Sequence, residues 1–242
     1  MSVRVGSARI DERGSAIGGK AGDQTGREVA TENWYLHGLL WYVLRAKDPA
    51  AREKIAQDME YACANPKIGY DQGQNQSLLQ VAKKVGYNCS KVQEPCETDC
   101  ARLVRVCVLY AGIDSPDFYT GTELAVLYGT GKFSVLKSDK YCRSSDYLRR
   151  GDILVTRSRG HTVVVLDDGA KVKKETFKPY KVKITKDVNV RTKPRKASKQ
   201  VMKPLVLKKG KEYTIVKKSR SGKWGKLKIG GWIALPGYTK KV

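Results

Sequence analysis

The basic residues of this 242-residue sequence are concentrated at its C-terminal end. The whole chain has 47 Lys and Arg residues against 24 Asp and Glu residues, which gives a formal net charge of +23. Residues 171–242 carry 24 of the basic and 3 of the acidic residues, whereas residues 1–170 are nearly neutral, with 23 basic and 21 acidic residues. This step in charge predicts a near-neutral domain joined to a basic one. The basic domain is expected to bind a polyanion: nucleic acid, anionic lipid or the teichoic acids of a Gram-positive wall.

Hydrophobic periodicity in the near-neutral part predicts helices first and strands afterwards. Asp48-Pro49 marks one helix start, Thr98 or Asp99 can cap another, and Gly86 and Gly112 mark stops. The predicted helices cover residues 33–45, 49–63, 76–85, 100–111 and 123–128. The predicted strands cover residues 133–136, 153–156 and 162–166, and Asp168-Gly169 predicts a hairpin turn into a further strand near 171–177. Helices followed by an antiparallel sheet indicate an α+β domain over residues 1–177.

The remaining residues, 178–242, show short strand-like runs broken by Pro and Gly. These runs predict strands at 188–190, 201–207, 213–216, 224–229 and 232–235. Such a pattern is typical of a small all-β barrel. Lys178-Pro179-Tyr180 is the expected junction between the two domains.

The cysteine usage and the N-terminus bear on the cell compartment. The sequence begins without the apolar run of a secretory signal peptide, and its longest apolar stretch, residues 39–44, is too short to span a bilayer. We therefore expect synthesis in the cytoplasm and reduced, mostly buried cysteines. The cysteines are Cys63, Cys89, Cys96, Cys100, Cys107 and Cys142. Their spacing is not that of a usual zinc site and there are only two histidines, so no metal or cofactor is expected.

Cys100 and His161 are the residues best placed for nucleophilic catalysis. A cysteine nucleophile needs a lowered pKa and a proton acceptor, and a helix N-terminus favours the thiolate. Cys100 is the only cysteine predicted at such a position, whereas Cys107 is expected in the core. His161 starts a predicted strand and can project toward a helix packed on the sheet, while His37 lies in an aromatic segment and is expected to pack or to face solvent. A structural role for either residue remains the alternative.

Two motifs around these residues resemble those of the NlpC-type and CHAP-type cell-wall cysteine hydrolases and their phage amidase relatives. Residues 98–104, T-D-C-A-R-L-V, resemble the motif that carries the cysteine. Residues 151–154, G-D-I-L, followed by residues 160–163, G-H-T-V, resemble the motif that carries the histidine. The resemblance spans about residues 66–176. It implies a papain-like domain, with N-terminal helices packed on an antiparallel sheet, in which Cys100 and His161 are catalytic.

The sequence departs from the family pattern at two points, and these concern the supporting residues. Ala101 replaces the usual serine after the cysteine, and the second downstream histidine is absent. The predicted hairpin would bring Glu175 beside His161, which makes Glu175 the candidate to orient the imidazole ring. The resemblance also implies polar and aromatic pocket residues, for which Tyr70 and Gln24 are the candidates.

The C-terminal part resembles bacterial SH3-like wall-binding domains over about residues 182–242. Residues 187–194, D-V-N-V-R-T-K-P, are similar to the opening of these domains, and residues 224–227 and 230–233 are similar to their ending. The resemblance implies binding of wall peptides or glycans. Tyr213, Trp224 and Tyr238 are the candidate contacts, whereas Trp232 is expected in the core.

Together these features predict an endolysin that hydrolyses an amide bond of peptidoglycan, either the muramoyl–alanine amide or a bond within the stem peptide. Anionic wall polymers are an expected second partner, and the enzyme is expected to reach the wall after release from the host cytoplasm. Two alternatives remain open: a catalytically inactive wall-binding or tail protein, and a nucleic-acid-binding protein. The wall-binding resemblance of the basic end argues against nucleic acid as its partner.

Overall fold

The computed structural model describes residues 2–10, 14–18, 28–172, 179–199, 205–219 and 221–242. The chain divides into two compact units, Met1–Val172 and Lys173–Val242. The predicted domain boundary, between residues 177 and 178, meets a segment outside the described residues. Helices and antiparallel sheets together confirm the predicted α+β class. None of the described helices is long and apolar enough to cross a membrane.

The N-terminal unit is built on a six-stranded antiparallel sheet with the order β2-β1-β8-β7-β3-β6. Its strands are β1 (Arg4–Ala8), β2 (Val29–Asn33), β3 (Trp41–Ala46), β6 (Phe133–Leu136), β7 (Ile153–Thr156) and β8 (Thr162–Val165). A separate parallel pair joins β4 (Ile68–Tyr70) to β5 (Cys96–Thr98). Both neighbours of β8 are strands of this sheet, β1 on one side and β7 on the other.

Helices α1 (Pro49–Ala64), α2 (Ser77–Lys84), α3 (Cys100–Tyr110) and α4 (Thr120–Gly129) contribute to the core on one side of this sheet. The short α5 (Asp139–Cys142) contributes Tyr141 to the cluster on the other side. Val155 and Val164 belong to the core cluster on the helical side, whereas Leu154 and Val163 belong to a second cluster that includes Trp41. Because side chains of a strand alternate between faces, this assignment fixes which side each residue of β7 and β8 occupies.

The capping residues predicted from the sequence start the helices. Asp48 accepts a hydrogen bond from the backbone N–H of Ala50 at 3.0 Å and Pro49 occupies the first turn of α1. Asp99 accepts from the backbone N–H of Arg102 at 2.7 Å and caps α3. These contacts satisfy N–H groups that a helix start leaves without an intrahelical partner. The predicted helices over 49–63, 76–85, 100–111 and 123–128 are confirmed.

Two predictions about the N-terminal unit were wrong. Residues 33–45 do not form a helix: the chain turns at Leu40, where φ is 56°, and enters β3. Both faces of this strand are covered, so its nearly continuous apolar run carries no period-2 alternation to distinguish it from a helix. Asp168-Gly169 does not form a hairpin, because the Gly169 N–H donates to the Leu148 carbonyl at 2.8 Å and the chain leaves the sheet there.

The C-terminal unit is an all-β structure. A five-stranded antiparallel sheet has the order β14-β13-β12-β9-β15, and a two-stranded sheet pairs β10 with β11. The strands are β9 (Tyr180–Ile184), β10 (Val188–Asn189), β11 (Val206–Leu207), β12 (Glu212–Lys218), β13 (Trp224–Leu227), β14 (Trp232–Ala234) and β15 (Thr239–Lys241). Their aliphatic side chains, among them Val182, Ile215 and Ile233, form one buried cluster. Within the described residues the hydrogen bonds do not close these sheets into the predicted barrel.

Candidate active site

Cys100 is the first residue of α3. Its side chain is almost completely buried, with 8% of the residue exposed. The backbone N–H groups of Ala101 and Thr162 lie beside the sulphur and favour the thiolate. The N–H of Ala101 belongs to the helix start and that of Thr162 to the first residue of β8. The prediction that Cys100 lies at a helix N-terminus is therefore confirmed, and the helix start faces the strand that follows His161.

The pKa of Cys100 does not follow the prediction. Burial, followed by the nearby carboxylates of Asp99 and Glu123, raises the pKa of the Cys100 thiol to about 12. The two backbone N–H groups act in the opposite direction but are outweighed. Desolvation of a charged sulphur in this low-dielectric position is the dominant effect. Cys100 in the free protein is thus a neutral thiol at pH 7, rather than the thiolate that a helix N-terminus alone would favour.

His161 is held in a tight turn between β7 and β8. The hydroxyl of Thr156 accepts hydrogen bonds from the backbone N–H groups of Gly160 and His161 at 3.0 and 3.1 Å. Burial, followed by the electrostatic influence of Arg9 and His37, lowers the pKa of His161 to about 4. The imidazole is therefore neutral at pH 7 and able to accept a proton.

The structure brings the main chain at His161 close to Cys100 but does not join the two side chains. Thr162, the residue after His161, contacts the Cys100 sulphur through its N–H. Among the described residues no hydrogen bond links the thiol to the imidazole ring, whose electrostatic neighbours are Arg9 and His37. Catalytic hydrogen bonds are often long in free enzymes and tighten when substrate binds.

Sequence reasoning missed Glu123, a fully buried residue of α4 that lies close to Cys100. One carboxyl oxygen accepts a hydrogen bond from the Thr162 hydroxyl at 2.9 Å, and the other has no hydrogen-bond partner among the described residues. Burial raises the pKa of Glu123 well above its ordinary value, whereas the hydrogen bond from Thr162 acts in the opposite direction. The sequence signal was an isolated acidic residue within an otherwise apolar short helix.

Tyr70 lies close to Cys100, whereas two other predicted residues fall outside the described part of the chain. Tyr70 pairs in register with Thr98, its hydroxyl accepts a hydrogen bond from the Gln72 side chain at 2.8 Å, and burial raises its pKa to about 12. Gln24 and Glu175 lie outside the described residues. The hairpin that suggested a role for Glu175 is not formed, because β1 and β7 already occupy both sides of β8.

The Gly-Asp motif before β7 has a structural role in this unit. A side chain at Gly151, where φ is 85°, would collide with the Arg52 carbonyl, since an added Cβ would lie 2.0 Å from that oxygen. The buried Asp152 carboxylate accepts hydrogen bonds from the Arg45 guanidinium at 2.6 and 2.8 Å. The motif therefore fixes the entry into β7, and so the turn that carries His161.

The N-terminal unit of the chain matches a known protein family. The sequence matches the endolysin-like domain over residues 5–172, more than half of the chain. The chain belongs to the endolysin-like domain family. Neither the curated proteins nor the solved structures contain a match. Membership in the endolysin-like domain family indicates a function related to phage lysis and to peptidoglycan.

The endolysin-like domain contains Cys100, His161, Glu123 and Tyr70, and ends where the basic unit begins. All six cysteines are free, and five of them are buried, as predicted. Within the described residues no group of three or more His, Cys, Asp or Glu side chains could hold a metal ion.

The three aromatic residues predicted to contact the wall fall into two places in the basic unit. Trp224 and Tyr238 line one cavity of about 210 Å³, together with the polar side chains of Asn189 and Arg191. Tyr213 lines a different cavity, of about 340 Å³, and packs against the buried aliphatic cluster. Trp224 and Tyr238 therefore form the better candidate for a ligand contact.

Proposed function

We propose that this chain is an endolysin that hydrolyses an amide bond of bacterial peptidoglycan, with Cys100 as nucleophile and His161 as general base. The observation that carries the proposal is the position of Cys100 at the start of α3 against the first residue of β8, directly after His161, within an endolysin-like domain. The papain-like arrangement inferred from the two motifs belongs to the same proposal.

The chemistry begins from a neutral pair. Because the pKa values of Cys100 and His161 are about 12 and about 4, the thiol keeps its proton until substrate is bound. Attack of the sulphur on the amide carbonyl forms the carbon–sulphur bond as the thiol proton passes to the His161 ring. The tetrahedral intermediate then collapses, the carbon–nitrogen bond breaks, and the imidazolium returns the proton to the leaving amine. Water hydrolyses the resulting thioester by the same route and regenerates the thiol.

Two groups beside the sulphur support the intermediate. The N–H groups of Ala101 and Thr162 flank Cys100 and supply preorganised donors for the developing oxyanion. Removal of one such donor costs roughly 10²–10³ in kcat in well-studied hydrolases. Glu123, through its hydrogen bond to Thr162, holds the first residue of β8 in place.

The basic unit is proposed to be an SH3-like domain that concentrates the enzyme on the wall. Trp224 and Tyr238 provide a cavity for a wall peptide or glycan, and the surrounding Lys and Arg residues attract teichoic acids rather than nucleic acid. The enzyme is proposed to act on the wall after release from the cytoplasm of an infected host.

A Cys100→Ala variant tests the hydrolase proposal directly. It is expected to abolish the clearing of turbid suspensions of susceptible cells, whereas the control variant Cys63→Ala, which alters a partly buried cysteine of α1, should retain it. Mass spectrometry of the digested walls identifies the bond from the new termini. Lysis by a correctly folded Cys100→Ala protein would remove the mechanism.

A wall-binding protein without hydrolytic activity is the second candidate. It is favoured by the raised pKa of the Cys100 thiol and by the lack of a hydrogen bond between that thiol and His161 among the described residues. Wild-type protein that binds walls but releases no new amino or carboxyl termini would support this candidate.

A further inference from the structure

A groove lies between α4, β6 and the turn that precedes His161. It has a volume of about 490 Å³ and is lined by Leu124, Ala125, Tyr128, Val135, Lys137 and Arg159. We call it the α4 groove. None of its residues belongs to the proposed catalytic machinery, and its lining combines aliphatic side chains, one aromatic ring and two cations.

The two cations of the α4 groove are not neutralised. Neither Lys137 nor Arg159 forms an ion pair with a carboxylate in the described part of the chain, and the Arg159 guanidinium donates instead to the Gly121 carbonyl at 3.0 Å. The acidic residue two positions after Lys137, Asp139, pairs with Arg143 at 3.4 Å. A groove whose two cations have no ion-pair partner in the described part of the chain, and whose lining residues include no carboxylate, is complementary to an anion.

The apolar part of the groove is open to a ligand. Tyr128 is 62% exposed, and its ring adjoins the side chains of Leu124 and Val135 in the lining. An exposed aromatic ring beside aliphatic side chains offers contact area that a small inorganic anion would leave unused. The lining therefore fits an organic ligand that carries a carboxylate.

The α4 groove adjoins the candidate active site through both of its walls. Arg159 precedes His161 by two residues, and its N–H donates to the Thr156 carbonyl at 2.8 Å, within the turn that holds His161. Leu124 directly follows Glu123, whose carboxylate accepts from Thr162 beside Cys100. Residues that line the groove are therefore chain neighbours of His161 and of the residue that contacts Thr162 beside Cys100.

We propose that the α4 groove is a substrate subsite that binds an acidic peptide, with Arg159 and Lys137 on a free carboxylate and Tyr128 against the adjacent peptide. The inference rests on the proposed function, because peptidoglycan stem peptides carry such carboxylates near their amide bonds. It adds a specificity: substrates whose carboxylate is free bind better than those in which it is amidated.

The test compares two soluble muropeptides that differ only in whether the stem-peptide carboxyl group is free or amidated. The wild-type enzyme is expected to show the lower KM for the free acid. A full-length Lys137→Gln/Arg159→Gln variant should raise the KM for the free acid roughly tenfold, the cost of losing charge-assisted hydrogen bonds, and should lose the preference. The control variant, Lys132→Gln, removes an exposed cation directly before the first residue of β6. It should keep the preference for the free acid.

Calorimetric titration separates failure of this inference from failure of the hydrolase proposal. The Cys100→Ala chain, which is expected to bind without cleavage, is titrated with both muropeptides, with and without the Lys137→Gln/Arg159→Gln changes. If the wild type cleaves both muropeptides with equal KM, and all variants bind both with equal affinity, the α4 groove proposal alone is overturned. An affinity preference that depends on Lys137 and Arg159, without any cleavage by the wild type, supports the groove and overturns the hydrolase.

Discussion

At the residue scale, Cys100 experiences two opposing influences. The start of α3 and the N–H of Thr162 favour a negative sulphur, whereas burial and the carboxyl groups of Asp99 and Glu123 disfavour it. The position of Cys100 could be predicted from the sequence, because the capping pattern of Asp99 marks a helix start. The direction of its pKa could not, because burial and the approach of Glu123 arise from tertiary packing.

This balance predicts how Cys100 reacts with iodoacetamide. Because its pKa is about 12, the thiolate fraction, and with it the alkylation rate, should rise about tenfold per pH unit between about pH 6 and 9 without a plateau. The His161→Ala variant should show the same slope, since the two side chains are not hydrogen bonded. The rates are measured by mass spectrometry of the peptide that contains Cys100. A plateau at low pH that disappears in His161→Ala would instead demonstrate a preformed thiolate–imidazolium pair.

At the scale of elements, the helices with polar caps were predictable and the strands buried on both faces were less so. The sequence signals for α1, α2 and α3 are local: Asp48-Pro49, Asp99 and the glycines after the last turns. β3 is a strand that is buried on both faces, and no local sequence pattern indicates such burial. Likewise β9 (Tyr180–Ile184), which begins at the last residue of the expected junction, was missed, although its residues alternate in burial.

The packing of α1 on α3 buries a carboxyl group whose ionisation should be visible in the stability of the protein. Asp58 of α1 accepts from the Cys89 N–H at 2.9 Å, and the thiols of Cys89 and Cys107 lie beside it. Burial raises the pKa of Asp58 from 3.8 to about 7. Between these two values the folded state binds more protons than the unfolded state, so this group lowers the free energy of unfolding as pH rises from about 4 to 7.

An Asp58→Asn variant tests this effect, because the amide keeps an acceptor for the Cys89 N–H but cannot ionise. The free energy of unfolding of the variant, relative to that of wild type, should increase as pH rises from 4 to 7 and stay constant above pH 7. The increase should reach up to about 1.4 kcal/mol per unit of pKa shift. His161, whose lowered pKa acts in the opposite direction, is present in both proteins and cancels in the difference. Denaturant unfolding at several pH values measures the difference in the free energy of unfolding between the two proteins. A difference independent of pH would show that Asp58 is ionised in the folded protein throughout this range.

At the scale of the whole molecule, charge distinguishes the near-neutral endolysin-like unit from the strongly basic unit. Lys208 pairs with Asp187 at 2.8 Å, but residues 171–242 hold only three acidic residues against 24 basic ones. Most of the positive charge therefore has no carboxylate to pair with inside this unit. If the basic unit binds the wall as proposed, we expect two sources of affinity: long-range attraction to an anionic wall, and short-range contact through the cavity of Trp224 and Tyr238.

These two sources respond differently to salt. The Debye length shrinks from about 10 Å at 0.1 M to about 3 Å at 1 M, so the long-range part of the affinity should weaken as salt rises while the short-range part persists. We expect full-length protein to sediment with purified Gram-positive walls less completely at 1 M than at 0.1 M salt, but measurably at both. Walls stripped of teichoic acid should give a flatter dependence.

A chain truncated to residues 1–177 should still cleave soluble wall fragments but clear whole cells more slowly. A full-length protein that ignores walls and instead binds DNA with a steep salt slope would assign the basic unit to nucleic acid.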